Sequence, residues 1–237
     1  MAAVIKKLSW SSFLIPLLVI SMVGCHSQKS HLSPLKPFPQ VKGKLAVAGF
    51  RAALPDGRTA GLEKSPFSGA FFMTEPVSNQ SVRYMNDLLF NRLIKKGDYN
   101  LISPNQVREV STNIISAGKS SLDDIATIQE IGKALKAELV LAGHLYRWQE
   151  REGTEYSVRE PASVAFELCL INSDTGEIIW KGNYDKKQQS LAENLLYFRL
   201  FFSGKGKWMT AAQLAEFGLS EIINTQNPGG NSLGPNR

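Results

Sequence analysis

The chain has 237 residues, of which 43% are apolar and 20% charged, and its formal net charge is +6. This is the composition of a globular protein with one substantial core, and the mild charge lacks the dense basic face of a nucleic-acid-binding protein. No apolar run of about 18 residues follows Cys25, which excludes a membrane-spanning helix from the rest of the chain.

The first 25 residues have the three parts of a bacterial lipoprotein signal. Two lysines form a positive start, Phe13–Ile20 is an apolar stretch, and small Gly24 precedes Cys25, as in the bacterial lipobox. The thiol of Cys25 is the nucleophile that accepts a diacylglyceryl group, and its position fixes the cleavage site. We therefore predict a signal peptide over residues 1–24, cleavage between Gly24 and Cys25, and a covalent lipid on Cys25 in place of any other cofactor. The alternative is an ordinary secretory signal followed by an unmodified cysteine.

The residues after the signal predict where the protein resides. His26 and Ser27 follow the cysteine, without the Asp that retains lipoproteins in the inner membrane under the best-known Gram-negative sorting rule. By that resemblance we expect a lipid anchor at the periplasmic face of the outer membrane. Residues 26–42 are rich in Pro, Ser, Lys and Gln, so residues 25–43 are predicted to be the lipidated cysteine and a flexible linker.

Residues 44–225 have the pattern of one α+β domain, in which helices pack on a mixed β-sheet. Strands are predicted from Lys44, Tyr99 and Glu138, and as a hairpin over 164–170 and 177–180. Helices are predicted over about 81–96, from Ser103, from Ser121, over about 190–202, and from Thr210 to Asn224. The long segment 51–80 does not alternate and is expected to be a functional loop, and 226–237 a disordered tail.

Three passages of this β-α-β-α-α-β-β-β-α order lie in register with a known group of proteins. They are Leu45–Phe50, Ile131–Gly143 and Leu170–Trp180. Together they resemble the CsgG/LpoB/TolB-amino-terminal group of exported domains. That resemblance implies binding or assembly at the cell envelope rather than catalysis. Members include activators of peptidoglycan synthases and a curli-secretion pore, whose strands need about nine to eleven alternating residues each.

The patterns that could carry chemistry are weak. Residues 113–120 nearly match a phosphate-binding loop, but the first glycine is missing and the segment follows a helix instead of a strand. Cys169 and His144 lie in strand patterns with no identifiable orienting acid. No cysteine and histidine residues have the spacing of a metal site. We therefore predict that the protein is not an enzyme and binds no metal.

Aromatic residues in two segments form a candidate partner patch. The segment 190–202 is apolar on more than one face, which a buried helix on the sheet would also explain. The alternative is a patch that binds a partner, formed by Phe71, Phe72, Tyr197, Phe198, Phe201 and Phe202. The predicted function is a non-catalytic, outer-membrane periplasmic lipoprotein that binds another envelope protein or forms a homo-oligomer. The alternative is a subunit of an oligomeric CsgG-like secretion pore.

Overall fold

A computed structural model describes residues 37–116, 125–188 and 207–224. The elements in these ranges are β1 (Lys44–Ala52), β2 (Gly61–Lys64), β3 (Phe71–Thr74), α1 (Asn79–Lys96), β4 (Asn100–Ile102), α2 (Pro104–Ser116), α3 (Ile125–Ala134), β5 (Leu139–Gln149), β6 (Glu152–Gly153), β7 (Val158–Glu160), β8 (Ser163–Asn172), β9 (Ile178–Lys187) and α4 (Ala211–Asn224). Apart from the small hairpins β2–β3 and β6–β7, this is the predicted order, and the α+β class is confirmed. The helix predicted over about 190–202 lies outside the described residues.

Five strands form one mixed sheet in the order β4-β1-β5-β8-β9. Strand β1 runs parallel to both β4 and β5, whereas β5, β8 and β9 pair antiparallel. Both faces of β5 and β8 are buried, which explains why these strands read as nearly continuous apolar runs.

Helices cover both faces of the sheet. On one face α1 and α4 contribute Met85, Leu89 and Leu219 to the larger core cluster. On the other face α2 and α3 contribute Val107 and Ile131 to a second cluster. The chain therefore changes face between α1 and α2, and β1 lies between the two strands with which it runs parallel.

The ends of the helices follow from capping residues. The Ser78 hydroxyl accepts the backbone N–H of Ser81 at 3.1 Å, so α1 begins two residues before its predicted start. Ser103 precedes Pro104 in the first turn of α2, as predicted. Thr210 and Gln213 form the predicted capping box of α4, with hydrogen bonds of 3.2 and 2.9 Å.

Two glycines of the family-like passages have structural roles. A Cβ atom built on Gly132 would lie 2.2 Å from the Ser173 hydroxyl, so only glycine lets α3 lie this close to the sheet. Gly176 closes the β8–β9 turn with φ of +73°, in the left-handed region that favours glycine. These positions build the fold and do not take part in chemistry.

Two parts of the chain differ from the sequence prediction. Phe38 and Val41, which the sequence placed in the flexible linker, are each only 5% exposed and belong to the core. The ring of Phe38 packs edge-on against Trp180, with ring centroids 4.7 Å apart, and against Tyr99. The packed domain therefore begins before Lys44. The segment 51–80, expected to be a loop without strands, contains the antiparallel hairpin β2–β3.

Candidate protein-binding surface

The hairpin β2–β3 lies over the second face of the sheet and has two distinct sides. Its register pairs Leu62 with Met73 and Lys64 with Phe71, and residues directly opposite each other point to the same side. Phe72 and Thr74 point to the other side, where they are 2% and 1% exposed. We call the side formed by Leu62, Lys64, Phe71 and Met73 the outer face, and the side of Phe72 and Thr74 the inner face.

The inner face is attached to the sheet by aromatic stacking. The ring of Phe72 lies parallel to that of Tyr146 on β5, with centroids 4.0 Å apart. Just after β3, the backbone N–H of Glu75 donates to the Tyr146 carbonyl at 3.0 Å. At the base of the hairpin, Val77 N–H donates to the Leu54 carbonyl at 3.0 Å. The hairpin is therefore held along β3 and closed where it leaves the domain.

Arg147 ties β3 to the sheet by a second set of contacts. Its side chain donates to the backbone carbonyl of Met73 at 3.0 Å and to the Ser163 hydroxyl at 2.7 Å, and it pairs with the Asp185 carboxylate. Only 10% of the arginine side chain is exposed. A buried guanidinium needs partners for its donors, and these three acceptors join β3, β8 and β9.

A β-bulge explains why both Tyr146 and Arg147 reach the hairpin. Leu145 pairs with Phe166 on β8, but Arg147 pairs with the very next partner, Ala165, so Tyr146 is the extra residue. In a regular strand consecutive side chains point to opposite faces, whereas a bulge re-aims one of them. Tyr146 and Arg147 thus act on the same side of the sheet.

A buried polar cluster holds the turn between β2 and β3. The Ser65 hydroxyl accepts the backbone N–H groups of Phe67 and Ser68, at 3.0 and 3.1 Å, and donates to the Glu167 carboxylate. The Tyr146 hydroxyl donates to the same carboxylate at 3.3 Å. Burial, together with the neighbouring negative charge, raises the pKa of Tyr146 well above its ordinary value, so the phenol remains a donor.

The outer face exposes three large apolar side chains. Leu62 is 63% exposed, Phe71 64% and Met73 57%. Single exposed apolar residues are ordinary, but three neighbours on one firmly held ribbon form a patch of the kind that marks an interaction site. Lys64 adds a positive charge beside Phe71. The hairpin can therefore present a preformed apolar surface to a protein without the ordering cost of a mobile loop.

The candidate patch residues of the sequence fall into three groups. Phe71 lies on the outer face. Phe72 is buried against Tyr146 and offers no surface to a partner, which corrects its inclusion in the patch. Residues 197–202 lie outside the described residues, as do Gly24 and Cys25, and their roles remain predictions.

Leu62, Met73, Arg147 and Glu167 were missed by the sequence analysis. The apolar run Phe71–Met73 is the sequence signal that could have revealed the outer face. In a short strand its residues alternate between the two sides, so Phe71 and Met73 share one side and Phe72 points to the other.

The residues considered for catalysis lie in the core. Cys169 is fully buried on β8, and burial, with a smaller contribution from Glu167, raises the pKa of its thiol far above the ordinary value. His144 lies opposite Glu167 and has its Nε2 atom 3.2 Å from Arg51. A nucleophilic cysteine needs a lowered pKa and access, and Cys169 has neither. Among the described residues no cluster of metal-ligating side chains occurs, and no helix is long and apolar enough to cross a bilayer.

The protein is an α+β domain whose β2–β3 hairpin exposes an apolar outer face. Comparison with known proteins shows which family the domain resembles. The family model described as peptidoglycan-synthase activator LpoB matches residues 68–185, a range that includes β3 and most of the main sheet. The chain therefore carries an LpoB-like domain. No curated protein matches the chain.

Solved structures with a similar arrangement share little sequence with this chain. The LpoB C-terminal domain from Salmonella enterica is 20% identical, with 62% of this chain and 83% of that chain covered and a TM-score of 0.33. The hypothetical protein CT253 from Chlamydia trachomatis is 16% identical, with 77% and 94% covered and a TM-score of 0.42. A PelC dodecamer from Paraburkholderia phytofirmans is 11% identical, with 79% and 90% covered and a TM-score of 0.33.

Proposed function

We propose that this protein is a non-catalytic, lipid-anchored periplasmic protein that binds a peptidoglycan synthase and raises its activity. The observation that carries the proposal is the match of residues 68–185 to a family described as an activator of such enzymes. The matched range includes Phe71 and Met73 of the outer face. We infer that the outer face is the surface that contacts the synthase.

The chemistry of the outer face suits that role. Full burial of a Leu, Phe or Met side chain contributes about 1.5–3 kcal/mol, and more than half of that surface is still exposed on each of the three. Large apolar and aromatic side chains on a rigid support are typical centres of protein interfaces. The attachment through Phe72 and Arg147 removes much of the cost of ordering them.

The first test measures binding of the purified protein to the purified peptidoglycan synthases of the source organism. We expect saturable binding to one of them and a higher rate of glycan polymerisation. Phe71→Ser is expected to weaken this binding at least about tenfold, because it removes a central apolar contact, and a triple variant with Leu62→Ser and Met73→Ser should weaken it further.

Ile94→Ser is the matched control, since Ile94 is 54% exposed on α1 and lies outside the outer face. It should bind as tightly as the unchanged protein. Absence of binding to every synthase would refute the proposed function. Binding that the hairpin substitutions leave unchanged would refute the assignment of the outer face.

The anchor has its own test. Cys25→Ser removes the only thiol at the end of the signal, so we expect the protein to leave the membrane fraction on cell fractionation. Mass spectrometry of the unchanged protein should find a lipid on Cys25 and no residues before it. Fractionation that does not change, or an unmodified thiol, would contradict the lipid anchor.

The secretion-pore alternative is not proposed. The family match is to the synthase activators, and in the segment 51–80 strands β2 and β3 have four residues each instead of the nine to eleven that a membrane-crossing strand needs. Most of the second segment that such a pore would use, 185–208, lies outside the described residues.

A further inference from the structure

A second feature lies apart from the outer face, at the carboxyl end of β5. There a cleft of about 450 Å³ opens between the amino ends of α1 and α4. In sheets with parallel strands, ligands commonly bind in a crevice at the carboxyl ends of the strands. The cleft has the size of a small-ligand or side-chain site. The proposed function does not use it.

Two aromatic rings and two carboxylates line this cleft. Tyr84 of α1 and Trp148 of β5 meet edge to face, with ring centroids 5.7 Å apart. Tyr84 is 40% exposed and Trp148 is half-buried. Asp56 and Glu150 complete the polar wall, and none of the described lining residues is basic. A negative, aromatic cleft is notable in a chain whose net charge is +6.

The helix ends beside the cleft do not make it a site for an anion. The hydroxyl of Ser78 accepts the backbone N–H of Ser81, the third residue of α1, at 3.1 Å. The carboxylate of Glu150 accepts the backbone N–H of Ala211 at 3.1 Å, and the capping box binds the N–H groups of Thr210 and Gln213. Side chains thus occupy part of the first turn of each helix, and the carboxylates of Asp56 and Glu150 would repel an anion.

We propose that this cleft binds the cationic side chain of a lysine or arginine presented by a protein partner. An ammonium or guanidinium group is attracted to the electron-rich faces of tryptophan and tyrosine within about 6 Å of the ring centroid. The second carboxylate oxygen of Glu150 and the carboxylate of Asp56 supply the matching negative charge. The inference holds whether or not that partner is a peptidoglycan synthase.

The test is an NMR titration of the purified protein with capped tripeptides of the form Gly-X-Gly. With lysine or arginine at the centre, we expect saturable shifts at the Trp148 indole N–H and the Ala212 amide. The affinity should fall several-fold between low and high salt, because an exposed charge contact is screened. Norleucine at the centre keeps the aliphatic chain without the charge and should produce no saturable shift.

The variant pair Asp56→Asn and Glu150→Gln isolates the charges. Glutamine keeps the oxygen that accepts the Ala211 N–H, so α4 should begin as before, while the affinity for the lysine peptide should fall at least fivefold. Glu109→Gln, an exposed carboxylate on α2, is the control and should bind normally. Equal binding of the norleucine peptide, shifts confined to other surfaces, or full affinity in the double variant would each overturn the proposal.

Discussion

Replacing Phe38 by alanine is expected to lower the free energy of unfolding by about 3 kcal/mol, although this residue precedes the first strand. Its ring is 5% exposed and packs edge-on against Trp180 and Tyr99, and the Lys96 ammonium lies 5.4 Å from its centroid. Truncation would leave a cavity between β9 and the end of α1, and it would remove the aromatic pairs as well as the buried area.

Urea denaturation of the purified protein, followed by circular dichroism, measures this effect. Gln40→Ala is the control, because Gln40 is exposed in the same segment, and it should change the stability by less than about 0.5 kcal/mol. A Phe38→Ala variant as stable as the Gln40→Ala variant would mean that the segment before Lys44 is not part of the folded domain.

The second large effect is expected from Arg147→Met, which should release the hairpin from the sheet. Methionine keeps much of the aliphatic volume but leaves the Met73 carbonyl and the Ser163 hydroxyl without their charged donor. Leaving a buried acceptor unpaired costs about 1–3 kcal/mol, which applies in full to the Ser163 hydroxyl and in part to the half-buried Met73 carbonyl. The ion pair with Asp185 adds little, because that carboxylate is 43% exposed. We expect a total loss of about 2–3 kcal/mol.

Hydrogen exchange locates this loss. The amides of Ser65 and Glu75, which donate to Ala70 and Tyr146, should exchange faster, while those of β8 keep their protection. Arg159→Met makes the same change in an exposed ion pair, where the arginine side chain is 84% exposed and its partner Glu152 57%, and should have almost no effect. Uniform loosening of the whole domain would argue against a specific role of Arg147 in holding the hairpin.

The main sheet and the helices could be predicted because their local signals agree. Ser103 or Thr210 before a helix, Gly97 after one, and the apolar runs of β1, β5 and β8 all point to the same architecture. These signals depend on neighbouring residues only. The order of elements and the mixed sheet followed from them.

The hairpin could not be predicted because its sequence lacks the alternation of apolar and polar residues that indicates a strand. Phe71, Phe72 and Met73 are all large and apolar, so the outer and inner faces of β3 look alike. Once β3 is known to be a strand, adjacent Phe71 and Phe72 must point to opposite sides, which separates the surface residue from the buried one. The polar residue Thr74 is buried as well, so the polar residue of β3 does not indicate which side of the strand is exposed.

The residues that hold the hairpin depend on distant contacts. In a regular strand alternate residues share a face, but the bulge at Tyr146 interrupts this alternation. The sequence of β5 contains no glycine or proline at that point that would indicate a bulge. Glu167 lies in an apolar run, and its partner Ser65 is far away in the chain. Phe38 lies between two prolines in a polar stretch, which is typical of a linker, and only its contact with Trp180 and Tyr99 places it in the core.

Phe38 and the hairpin lie at opposite ends of strand β1. This residue packs where β1 begins, whereas the hairpin follows the end of β1, a nine-residue strand that is about 30 Å long. The chain between Cys25 and Phe38 reaches at most about 45 Å when fully extended. Phe38 thus marks the end of the domain where β1 begins, and the hairpin that carries the outer face follows the end where β1 finishes. If Cys25 carries the proposed lipid, this length of chain would let the folded domain reach a target some tens of ångströms from the bilayer.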